Sequence, residues 1–222
     1  MCSTMKYIDI HTHNHTANPE VISIFCCDEE DVIVPYCSVG IHPWNTILAS
    51  TDSSFVENRR KQILSSALMP DVKAIGEVGL DVLRGAEMDI QIEVFRQMIA
   101  ISEQTKKPLI IHQVKSLEHI IRLHRECRPR QRWIIHGYRN KVEQARQLIH
   151  EGIELSFGQH FNTNALMLAW QEKALWLETD TAELTIEEIY RNAAVALGID
   201  EEELKTYLYR KVIELLSLPG QE

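Results

Sequence analysis

Short apolar runs recur along the chain, and most end in a polar residue or one able to hold a metal. They cover residues 7–11, 21–27, 36–42, 72–80, 108–112, 133–136, 152–158 and 175–180. Several are nearly continuous in Ile and Val, the pattern of strands buried on both faces of a parallel sheet. Between them the spacing turns helical. Residues 55–68 form one such segment. Residues 90–105 carry the stripe Ile90, Val94, Phe95, Met98 and Ile99, which predicts an amphipathic helix. Residues 116–127 open on Ser116 as N-cap, and 141–151 close before Gly152. Residues 185–197 and 200–216 begin with Thr185/Glu188 and Asp200/Glu203, at capping-box spacing.

Eight strands alternating with helices predict an α/β fold, a (β/α)8 TIM-type barrel. The first connections, 12–20 and 28–35, are too short for a helix and its turns. The expectation is therefore a trimmed barrel whose β1–β3 region is irregular and helix-poor. No linker or repeat divides the chain, so 1–222 reads as one domain.

Composition narrows the class. Hydrophobic residues at 45% and charged residues at 25% fit a globular protein and exclude a low-complexity one. No apolar stretch is long enough to span a membrane, and the start lacks a secretory pattern. The net charge of −9 disfavours a protein that grips nucleic acid with its whole surface. Five Cys, two of them adjacent at 26 and 27, point to free thiols in a reducing, cytoplasmic setting. No obligate protein partner is evident.

The chemistry lies at the strand ends. Asp9, His11 and His13 alternate along the first strand, which puts them on one face. Glu77, His112, His136 and Asp180 stand at or near the ends of later strands. In a barrel these ends meet at one mouth. Isolated buried charges and imidazoles are costly, so such a set points to a metal.

The motifs IDIHTH (8–13), VGIHPW (39–44), AIGEVGLD (74–81), PLIIH (108–112), IIHGY (134–138) and LETD (177–180) resemble those of the TatD-related metal-dependent hydrolases. The likeness runs through most of the chain in the family's order. It implies two divalent metal ions: His11, His13 and Asp180 on one, His112 and His136 on the other, Glu77 bridging. Nitrogen and oxygen donors suit Zn, Mn or, less well, Mg. No Cys falls within these motifs. Two metals would make a water nucleophilic near neutral pH. Asp180 is the candidate to orient it and take its proton.

His42 matches a family position near the substrate. Arg84, Lys115 and Arg139 follow strands on the active face and are candidate phosphate contacts. Trp44 is a candidate stacking platform for a base, and Asp9 a support for a ligand. His15 and His160 lie near the mouth but outside the ligand set. Arg122, Arg125, Arg128, Arg130 and Arg132 belong to the opposite face and read as solvated. His119, His124 and His150 read as helix residues. Two departures touch the substrate rim: Val114 stands where many relatives have arginine, and TAEL replaces a longer loop. The resemblance implies a deoxyribonuclease, acting on DNA with single-stranded ends. A small-molecule amidohydrolase or phosphoesterase on the same site is the second reading, and a barrel using metal as a staple the third.

Overall fold

The computed structural model describes residues 5–14, 18–27, 33–50 and 54–216. Eight parallel strands follow in sequence order around a nearly closed barrel. They are β1 (Tyr7–Thr12), β2 (Val21–Cys27), β3 (Cys37–Val39), β4 (Val72–Asp81), β5 (Leu109–Val114), β6 (Trp133–Ile135), β7 (Glu154–Phe157) and β8 (Leu175–Leu177). The last gap is stitched just past β8. Asp180 N–H donates to His11 O at 3.0 Å, and His13 N–H donates to Asp180 O at 3.0 Å.

The helices are α1 (Phe55–Ala67), α2 (Met88–Thr105), α3 (Leu117–Cys127), α4 (Val142–His150), α5 (Thr163–Gln171), α6 (Ile186–Leu197) and α7 (Glu201–Leu215). A 3-10 segment, Pro43–Ser50, precedes α1. No helix joins β1 to β2 or β2 to β3 among the described residues, as the short connections dictate. β2 registers the consequence. Its residues alternate between buried and half-buried, whereas β4 is buried almost throughout, covered on both faces.

Two local expectations change. Ser116 does precede α3, but its hydroxyl makes no cap and donates to Leu80 O at 2.8 Å, tying the β5–α3 corner to β4. α5 lies outside the helices that the spacing predicts, because its residues are apolar on nearly all sides and show no stripe. It is capped by Asn162, which accepts from Ala165 N–H, and packs between α4 and α6. The Thr185–Glu188 capping box forms in full. Asp200 caps through Glu202 N–H instead of Glu203.

One glycine positions the site directly. Gly79 has φ of 138°, and a Cβ there would sit 2.1 Å from His112 O. The close approach of β4 and β5 that brings Glu77 to His112 therefore requires glycine.

Candidate metal centre

The C-terminal strand ends enclose a cavity of about 410 Å³ lined by His13, His42, Glu77, His112, His136 and Asp180. His11 lies fully buried beneath it. β1, β4, β5, β6 and β8, or the residues just past them, each contribute. Positions far apart in sequence converge because parallel strands all end on the same side.

Glu77 is the centre of the arrangement, and its two oxygens face different groups. Oε2 lies 3.4 Å from His11 Nε2 and 3.3 Å from His13 Nε2. Both nitrogens are 3.8 Å from Asp180 Oδ1. Oε1 lies 2.7 Å from His112 Nδ1, 2.7 Å from His136 Nε2 and 3.1 Å from His42 Nε2.

Neighbouring groups fix which imidazole nitrogen faces inward. His112 Nε2 is 3.2 Å from Asp81 Oδ2, so a proton there leaves the Nδ1 lone pair aimed at the cavity. His136 Nδ1 is 3.5 Å from Glu178 Oε1, with Nε2 inward. Glu178 is held in turn by Gly137 N–H at 2.6 Å. His42 is arranged the other way. Its Nδ1 accepts from Trp44 N–H at 3.1 Å, so in the neutral ring Nε2 carries the proton and donates to Glu77. That makes His42 a holder of the carboxylate and unsuited to ligation in this tautomer.

The electrostatics match a site built for cations. Burial alone would raise the Glu77 carboxyl, but the charge of His136 and the contacts of His11, His112 and His13 hold it well below its usual range. Burial opposes charge on His136 as well, yet Glu77 and Glu178 push it well above the ordinary histidine value. Neither ring nitrogen of His11 makes a directed hydrogen bond among the described residues. Buried polar atoms are normally satisfied, and a cation between His11, His13 and Asp180 would satisfy Nε2. The three offer donor atoms within 4.8 Å of one another. The residues present therefore fit the implied metals.

Asp180 sits at φ of 51°, a left-handed position that aspartate tolerates better than most residues. The two backbone bonds to β1 keep it there. Asp9 supports this same turn and also takes a bond from the His11 backbone. It accepts from Thr179 N–H at 2.9 Å and Thr179 Oγ1 at 2.6 Å. Burial raises its carboxyl to about 7 against these bonds.

The expected substrate contacts are placed less uniformly. Arg84 is exposed and stacks on the Trp44 ring, 4.5 Å from its centroid. Trp44 donates its Nε1–H to Asp81 at 2.7 Å. The pair forms a wall of the rim, so Trp44 is already engaged. Lys115 is exposed past β5, outside the cavity lining. Arg139 lines a separate shallow depression with His160. His15 lies outside the described residues. The cationic side chain that does line the cavity is Arg59, from α1. Arg59 lies on a helix, away from the strand ends, so no strand-end signal in the sequence marks it. The sequence also leaves Asp81 and Glu178 unassigned, although both sit inside quoted motifs. Three of the five arginines on the opposite face are in ion pairs: Arg122 with Glu126, Arg125 with Glu151, and Arg132 with Glu154 and Glu214.

A parallel barrel with carboxylates and imidazoles gathered at its C-terminal mouth presents a candidate metal centre. The family model described as TatD related DNase matches residues 17–214. The chain belongs to that family. YabD of Bacillus subtilis, an uncharacterized metal-dependent hydrolase, is 32% identical over 133 residues, 59% of this chain and 49% of its own length. An uncharacterized metal-dependent hydrolase of Buchnera aphidicola subsp. Baizongia pistaciae is 26% identical over 188 residues, 82% of this chain and 65% of its own. The chain thus spans about half to two thirds of these relatives. Among solved structures, the TatD homolog YjjV of Escherichia coli superposes with a TM-score of 0.73 at 17% identity, covering 97% of this chain and 99% of that one. A TatD family hydrolase of Entamoeba histolytica gives 0.73 at 14% identity over the same shares. At these identities the likeness is one of fold. No helix among the described residues is long and apolar enough to cross a membrane.

Proposed function

We propose that this chain hydrolyses phosphodiester bonds with two divalent cations at the barrel mouth, and that its substrate is the end of a DNA strand. The observation that carries the reading is the division of the Glu77 oxygens between two donor groups. His11, His13 and Asp180 would hold one cation on the Oε2 side, and His112 and His136 the other on the Oε1 side. Zn, Mn or Mg held there lowers the pKa of a bound water and neutralises charge on phosphoryl oxygens.

The chain's own residues supply the rest. Asp180, at the cavity wall, orients the attacking water and takes up its proton. His42 donates to Glu77 and keeps the carboxylate from turning. Asp81 and Glu178 hold the His112 and His136 rings in register. Arg59 presents a guanidinium to the scissile or adjacent phosphate. Arg84, Lys115 and Arg139 would serve the strand only beyond the cavity.

A second reading, a compact phosphoester or amide substrate, is favoured by the charge around the cavity. Arg59 is its one Lys or Arg lining residue among those described. In sequence, all four residues directly after β2, 28–31, are acidic.

The test is turnover by metal-stripped protein restored with Zn, Mn or Mg. An end-labelled single-stranded DNA and a small aryl phosphodiester are compared, with Asp180→Asn alongside. Metal-dependent DNA cleavage, lost in the variant, is expected. Cleavage of the small diester alone would overturn the DNA assignment. No cleavage of either with metal bound would overturn phosphoester hydrolysis.

A further inference from the structure

Along β2 the inward positions are Ile22, Ile24 and Cys26, buried in turn, while Val21, Ser23 and Phe25 are half-buried. Cys26 is thus the last inward residue of the strand, where β2 reaches the mouth. Its neighbour Cys27 is different. Cys27 also borders the cavity, but it packs in the hydrophobic core and hydrogen-bonds with Cys37. Cys26 stands outside that apolar cluster among the described residues and lines the metal cavity, at 5% exposure. Its sulfur, a ring nitrogen of His13 and an oxygen of Glu77 all lie within 4.8 Å of one another. Two donors on one ion, each about 2.0–2.3 Å from it, stand roughly 3.3–4.6 Å apart. A bound of 4.8 Å is compatible with donors drawn onto one ion.

We propose that Cys26 is a ligand of the cation held by His11, His13 and Asp180, which makes that site mixed in nitrogen, oxygen and sulfur. The inference rests on the two-cation reading above. On binding, the Cys26 thiol releases its proton to solvent and its sulfur lone pair fills a coordination position, with no change of oxidation state. A thiolate selects a soft-accepting ion, so this position should prefer Zn over Mg and Mn. The sequence motifs alone pointed to nitrogen and oxygen donors only.

The test loads cobalt(II) into the metal-stripped wild type, Cys26→Ser and Cys27→Ala. The wild type and Cys27→Ala should show a near-ultraviolet sulfur-to-cobalt charge-transfer band, and Cys26→Ser should lose it. Zinc affinity should fall in Cys26→Ser by about tenfold or more, the scale on which even outer partners of a ligand act. Alkylation followed by peptide mass spectrometry gives a check without substitution: zinc should protect Cys26 in the wild type and leave Cys127 unchanged. Bound cobalt without the band, a band that survives Cys26→Ser, or labelling of Cys26 unaffected by saturating zinc would overturn the Cys26 assignment alone. Failure of the wild type to bind cobalt or zinc would instead overturn the two-cation reading.

Discussion

Asp81 Oδ2 lies 3.2 Å from His112 Nε2, on the side of the ring away from Glu77. The same carboxylate accepts from Trp44 Nε1 at 2.7 Å and Leu83 N–H at 2.8 Å. It fixes the tautomer of His112 and anchors the rim. Asp81→Ala should weaken binding of one cation by about 10–100-fold. Competition against a chromophoric chelator measures this, with circular dichroism to confirm folding. Unchanged affinity for both cations would remove Asp81 from this role.

Glu77 has no substitute, because its two oxygens face two donor groups. Glu77→Ala should lose the paired site and retain fewer than two ions per chain after equilibrium dialysis. Elemental analysis reads the outcome. Retention of two ions would refute the bridging role.

Arg59 should matter to turnover and not to metal content. A hydrogen bond to a charged group contributes about 1.5–3 kcal/mol. Arg59→Ala should therefore lower kcat/KM by roughly 10- to 100-fold. Arg139→Ala, at a depression apart from the cavity, should have the smaller effect on a compact substrate. Steady-state kinetics on the two variants ranks them, and the reverse order would displace Arg59 as the phosphate contact.

Stability should rise with pH in the alkaline range through Lys211. Its ammonium is buried against Lys173 O at 3.0 Å and Leu175 O at 3.1 Å, with Glu154 Oε2 at 3.3 Å. Burial lowers it from 10.5 to about 8 despite Glu154. Between those values the unfolded chain holds a proton that the native state has released, so unfolding free energy climbs with pH. Over the whole window the gain is on the order of 3 kcal/mol. Lys107, lowered by burial and by Lys73, adds in the same direction. Burial and Glu201 raise Tyr7 to about 12, which reverses the trend at higher pH. Urea unfolding from about pH 8 to pH 10 measures the slope, and Lys211→Met should flatten it. An equal slope in the variant would rule Lys211 out as its source.

How far the sequence spoke depended on whether a feature was local. β2 falls on residues 21–27 as the apolar run outlines, and the missing early helices follow from connection length alone. β6 and β8 prove shorter than their runs, because the chain leaves the sheet just before His136 and Asp180 to aim them inward. The six candidate ligands sit in short motifs, and a barrel must bring such ends together. Arg59, Asp81, Glu178 and Cys26 were not assigned roles for a common reason. Each borders the site or one of its groups only because another element packs beside its own, and no spacing within its own segment reveals that. α5 left no amphipathic stripe to read, and its Asn162 cap was the available signal.

The most direct measurement is anomalous scattering from crystals grown with manganese or zinc. Two peaks flanking the Glu77 carboxylate are predicted, one near His11, His13 and Asp180 and the other near His112 and His136, roughly 3.5–4 Å apart. A single peak at Glu77, or none, would contradict the account.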